Sequence, residues 1–149
     1  MASSELSISS AFESLANGHL EAFRLGLLHG RMKPDQKASV MADFRDRRFD
    51  VLVATSVIEV GIDVPNATLM TILDAENFGL AQLHQLRGRI ARGRVQGICA
   101  AVTDAEASTS PRIDAFVSTA DGFVLAEQDL ILRGPGDILG SRQSGSPPL

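Results

Sequence analysis

The chain has 149 residues, enough for one domain of ordinary size with a real interior. Its net charge of −4 excludes a uniformly basic nucleic-acid coat, its single cysteine (Cys99) excludes an internal disulfide and suits a reducing compartment, and no apolar run reaches membrane-spanning length. The start "MASSELSISS" lacks the basic-then-apolar order of a secretory leader, and 44% hydrophobic with 21% charged residues is the composition of a soluble globular protein.

Residues 1–10 are polar and serine-rich, and His19 is expected on a surface helix. "RLGLLHG" (24–30) reads as a strand running into a loop. "PDQKASVMADFRDRR" (34–48) opens with Pro34 and Asp35 and spaces Val40, Met41 and Phe44 for a helix. "FDVLVAT" (49–55) and "ATLMTILDA" (67–75) are continuous apolar runs, the pattern of strands covered on both faces. "GLAQLHQLRGRIAR" (79–92) is helical by spacing despite Gly88, and its stripe Leu80, Leu83, Leu86 is core packing. "GICAAVT" (97–103) is a fourth strand, with Cys99 an inert interior residue. Two helices follow at 110–120 and 125–133, then the loop-like tail "GPGDILGSRQSGSPPL". Alternating strands and helices predict an α/β fold, a parallel sheet with helices on both faces. Ligands in such sheets sit beyond the carboxyl ends of the strands, where "HGRM", "TSVIEVGID", "DAENFG" and "TDAEAS" lie.

Charge is unevenly placed. Arginine outnumbers lysine twelve to two, and Arg87, Arg89, Arg92 and Arg94 fall within eight residues. Arginine's fork suits bidentate phosphate contact, so the cluster reads as a local anion site. On a continuous helix Gln85, Arg89 and Arg92 would share a face, with Gly88 beside them admitting a close approach. An exposed basic helix with an incidental glycine is the plainer alternative. In "VLVATSVIEVGIDVP" (51–65), Thr55 and Ser56 place two hydroxyls at a strand's carboxyl end. Gly61 and Pro65 shape a turn around Asp63, whose carboxylate can accept from a sugar hydroxyl. A strand-to-helix connection with a solvated Asp63 is the alternative. His29 and His84 lack a third ligand at useful spacing, so no metal site is expected. Asp74 and Glu76 resemble an acid–base pair without a visible pocket, and an interdomain cleft suits them better.

"LVATSVIEVGIDVPNA" followed by "FGLAQLHQLRGRIARG" resembles motifs V and VI of superfamily 2 helicases, and "LHGRMKPDQK" resembles the segment before them. "DGFVLAEQDLILRGPGDILGSRQSG" resembles the segment after the motor in RecG-type branched-DNA helicases. The resemblance spans roughly residues 20–145. It implies a RecA-like domain lacking its first strand over 1–104, then a helical hairpin and translocation-type loop over 105–149. Activity would be ATP-dependent helicase or translocase action on branched or forked DNA, in fork repair and recombination. The resemblance makes Arg89 and Arg92 arginine fingers and assigns Gln85, Gly61, Asp63 and Gly88 to the nucleotide. Thr55, Ser56, Arg112, Arg133 and Gln143 face DNA. ATP with Mg²⁺ is implied, the Mg²⁺ ligands belonging to a first RecA-like domain absent from this sequence. A DNA-wedge domain is absent too, as is any GxxxxGK(S/T) loop, so the chain alone is expected to be inactive. Ala91 stands where motif VI has its second glycine. A monomer in the cytoplasm, at the bacterial nucleoid and without membrane contact, completes the expectation. A non-catalytic DNA-binding or interaction module, or a fragment of a transcription–repair coupling translocase, is the alternative.

Overall fold

The computed structural model describes residues 3–55, 64, 66–90, 95–104 and 110–133. The chain divides into two compact units, Met1–Val64 and Pro65–Leu149.

In the first unit, helix α1 (Ser3–Ala16) precedes strand β1 (Leu25–Leu28), helix α2 (Pro34–Arg45) and strand β2 (Val51–Ala54). Ile8, Phe12 and Leu15 stand at i, i+4 and i+7 on α1 and are half-buried, which is why a serine-rich segment is helical here. His19 lies in the turn after α1, exposed, and not on a helix. β1 and β2 pair in parallel, Leu25 with Val51 through Leu28 with Ala54, and α2 crosses between them. Pro34 starts α2, and Gln36 Oε1 accepts from the Lys33 N–H at 3.0 Å. Met41 and Phe44 of α2 are buried, as is Leu28 of β1. Gly26 is required by contact, because a Cβ there would stand 2.6 Å from the Phe49 ring.

α2 ends in a Schellman motif, with Arg47 N–H on Phe44 O (3.1 Å) and Arg48 N–H on Asp43 O (2.8 Å). Arg47 therefore takes φ 60°, the left-handed region that favours glycine. Arg47→Gly is expected to stabilise the unit by up to about 1 kcal/mol, read as a raised melting temperature. Arg24 clamps the amino ends of the two strands. Its Nε and Nη2 donate to the two Asp50 carboxylate oxygens at 2.9 and 2.8 Å, and Nη2 also reaches Arg47 O at 2.9 Å. The hydrogen bond from the Arg24 side chain, then that from its backbone N–H, lowers the Asp50 carboxyl to about 2. A lowered carboxyl stabilises the fold above the ordinary carboxylate range and loses that contribution as pH falls through the folded value. The wild type should therefore exceed Asp50→Asn in thermal midpoint above about pH 4, and the gap should close toward pH 2.

In the second unit, β3 (Leu69–Ile72) leads through a 3₁₀ turn (Ala75–Asn77) to helix α3 (Leu80–Arg87). Strand β4 (Ile98–Ala101) and helices α4 (Pro111–Ser118) and α5 (Gly122–Arg133) follow. β3 pairs in parallel with β4, Leu69 with Ile98 through Ile72 with Ala101. Ile72, Ala75, Leu80, Leu83, Ile113, Phe116 and Leu125 form one core, against which Leu86 and Cys99 pack. The leucine stripe of α3 thus lies inside, as its spacing predicts. α4 and α5 contribute Ile113, Phe116 and Leu125 to this core. The opposite face of β3–β4 carries Leu69 (62% exposed) and its register partner Ile98 (65%). Asp121 caps α5, its Oδ1 accepting from the Phe123 N–H at 2.8 Å.

The helix expected over 79–92 is shorter. α3 stops at Arg87, and Gly88 caps it, its N–H on His84 O at 3.0 Å. Arg89 lies in the turn beyond, held by its N–H on Leu86 O at 3.1 Å, and Ile90 is buried. Arg89 does not share a face of α3 with Gln85, because the helix ends before it, and Arg92 lies outside the described residues.

Candidate nucleotide and DNA interface

The turn after α3 brings Gln85, Gly88 and Arg89 together in sequence and space. Gln85 is exposed on the last helical turn and Arg89 is half-buried in the turn itself. Gly88 has φ −68° and ψ −5°, which any residue adopts. A Cβ built on it meets nothing closer than His84 O at 3.5 Å. Nothing described in this chain requires glycine there.

Arg87 departs from the expected anion cluster. Its Nη1 donates to Phe116 O (2.8 Å) and Thr119 O (2.9 Å) at the end of α4. Its guanidinium carbon sits 4.6 Å from the Phe116 ring centroid. Nη2 lies 3.2 Å from His84 Nδ1, which can only accept, since arginine only donates. Sequence alone gave no sign of this, because the partners lie 29 to 32 residues downstream. Burial pushes the Cys99 thiol up, with the Arg87 charge opposing.

At the carboxyl ends of β1 and β2, Thr55 N–H donates to Leu28 O at 3.1 Å. Thr55 Oγ1 and the neighbouring strand's His29 Nδ1 are both buried without a hydrogen-bond partner. Buried polar atoms are seldom left so. In the sequence, His29 stands among the polar residues at a strand's carboxyl end and is weighed by itself only as a metal ligand. Its position at a strand's carboxyl end was the available signal. Glu76 Oε2 is a third such atom, in the other unit. Arg112 Nη1 donates to Glu76 O (3.4 Å) and Phe78 O (3.3 Å), which ties α4 to the loop before α3. Among the described residues no three His, Cys, Asp or Glu side chains converge as a metal site. No described helix is long and apolar enough to cross a membrane. Ser56, Gly61, Asp63, Arg92 and Gln143 lie outside the described residues, as does the Arg133 side chain at the end of α5.

Residues 4–94, more than half of the chain, match the family described as the helicase conserved C-terminal domain. The chain belongs to that family. Within it, this helicase domain is similar to the ATP-dependent DNA helicase RecG of Streptococcus pneumoniae, with 54% identity over 124 residues covering 83% of the chain and 18% of the relative. It is 50% identical over 129 residues to RecG of Escherichia coli K12, covering 85% of the chain and 19% of that relative. The chain therefore spans under a fifth of the length of these relatives. A solved structure of RecG bound to a three-way DNA junction superposes with a TM-score of 0.71 at 46% identity, over 89% of this chain and 18% of that one. The Saccharomyces cerevisiae Dbp5 C-terminal domain matches at TM-score 0.57 and 22% identity, over 85% of this chain and 79% of that one, a likeness of fold alone. The parallel strands and crossing helices are those of a RecA-like helicase C-terminal domain.

Proposed function

We propose that this chain works as the second motor half of a RecG-type, ATP-dependent helicase acting on branched DNA. The superposition on a junction-bound RecG at 46% identity carries the reading, because it extends past the helicase-family segment into α4 and α5. Residues 1–104 supply the motor half and residues 105–149 the hairpin and loop that convert domain motion into movement along duplex DNA. Arg89 and Arg92 approach the triphosphate from this half and neutralise charge that builds up as the terminal phosphoryl leaves. Gln85, Gly61 and Gly88 line the approach, and Asp63 accepts from the ribose. The accommodating backbone of Gly88 supports this assignment. ATP with Mg²⁺ would supply the transferable phosphoryl group and its counter-charge, held by a first motor domain. Thr55, Ser56, Arg112, Arg133 and Gln143 follow the DNA, and the orphaned Thr55 hydroxyl supports a polar ligand there. The working enzyme is a monomer, joined to the first motor domain and the DNA-wedge domain, and acts at the nucleoid in the cytoplasm.

The test is a graft. This chain replaces the matching segment of the pneumococcal relative, and ATP hydrolysis is measured with and without a three-way DNA junction. Junction-stimulated turnover is the expected result, while the chain alone turns over nothing measurable. A folded graft that neither hydrolyses ATP nor unwinds a junction, although the parent does both, overturns the reading.

A further inference from the structure

The cluster centred on Arg87 joins three helices at one point. α3 contributes His84 and Arg87, α4 contributes the Phe116 ring and the Phe116 and Thr119 carbonyls, and α5 contributes Gly122. The last carbonyls of a helix have no partner within it, and they sit at its negative end. Both Nη1 hydrogens of Arg87 satisfy such carbonyls, and the guanidinium covers the Phe116 ring. Nη2 holds His84, whose other ring nitrogen is so near α5 that a Cβ on Gly122 would stand 2.8 Å from it. Arg87 is also the last residue of α3, directly before the Gly88–Arg89 turn, which hangs from His84 O and Leu86 O.

We propose that Arg87 is a positioning residue that locks the Gly88–Arg89 turn to the end of α4, so that turn and hairpin shift as one body. The proposal deepens the reading given under Proposed function and rests on it, since Arg89 must contact the nucleotide for the lock to matter. Lysine cannot replace the fork. One ammonium cannot bridge two carbonyls, reach His84 and lie flat on Phe116. Gly122 follows from the same geometry. Alanine there would favour α5 in an ordinary setting, but here it drives the His84 ring off Arg87.

Two measurements test this. In the full chain, Arg87→Lys should raise amide hydrogen exchange together at Leu86–Arg89, Thr119 and the first turn of α5, roughly 10- to 100-fold, with β1 and β2 unchanged. Gly122→Ala should raise exchange at the same amides, and His84→Ala should abolish that effect of Gly122→Ala. Exchange at wild-type rates in Arg87→Lys, or a change confined to α3, overturns the proposal. In the graft, the readout is the number of ATP molecules hydrolysed per junction unwound. This ratio is independent of the fraction of folded enzyme, so a merely structural role leaves it fixed. Arg87→Lys should raise it severalfold, and Arg87→Met, where it folds, should do the same. A graft that works with an unchanged ratio in Arg87→Lys overturns the lock and spares the Arg89 reading. A folded wild-type graft without turnover overturns the Arg89 reading, while the exchange data still decide whether turn and hairpin are joined.

Discussion

Arg89→Ala in the graft is expected to lower kcat for ATP roughly 10³- to 10⁵-fold, the range of an arginine that stabilises phosphoryl-transfer charge. The guanidinium is needed most when negative charge spreads over the departing phosphoryl oxygens, so kcat and kcat/KM should fall together with little change in KM. Lysine should recover part of the loss, because it returns the charge without the bidentate fork. The fold should tolerate the change. Arg89 lies beyond the end of α3, outside the core of its unit, so the melting temperature of the full chain should move little. Steady-state hydrolysis at saturating junction DNA is the measurement. A loss below tenfold would remove Arg89 from the reaction.

Phe116→Ala acts on stability with comparable force, at about 3–5 kcal/mol, the cost of emptying a large aromatic site. Phe116 is 2% exposed at the centre of the second core, between α3 and α5. Its ring also carries the Arg87 guanidinium, so truncation leaves that charge without its flat support. Domains are stable by only about 5–15 kcal/mol, so a large share of the margin is lost. Urea unfolding, followed separately at β1–β2 and β3–β4 amides, is the measurement, and Phe116→Leu should cost less because more of the volume is kept. A cost under 1 kcal/mol would mean that the second unit does not depend on this core.

The order of strands and helices from β1 to α5 was legible because apolar runs and helix starts are local signals. Pro34, the Val-Leu-Val of β2 and the Leu80–Leu83 stripe each announce their element without reference to distant residues. α1 was not read, because its serines masked a sparse stripe of Ile8, Phe12 and Leu15. The end of α3 was misjudged for a related reason. Apolar spacing continues through Ile90, while Gly88 and the backbone turn that follows stop the helix three residues earlier, at Arg87. Arginine clustering and spacing mark Arg89 and Gly88 as a candidate anion site, and only family resemblance makes them nucleotide residues. The role of Arg87 could not be read at all. Four arginines in a row of eight look alike on paper, and only the carbonyls at the end of α4 separate this one from its neighbours. His29 and Thr55 belong to an intermediate case. Each is ordinary alone, and the parallel register that sets their strands side by side makes two solitary polar atoms into one feature.

Gly88 sets two kinds of selection against each other. Alanine fits its backbone and space, and should gain about 0.4–1 kcal/mol by restricting the unfolded chain. A library sorted on heat resistance would therefore enrich alanine at this position, and one sorted on catalytic output would purge it. In the resting domain the extra methyl would register only as that gain in stability, and its cost would be felt only when something presses against it.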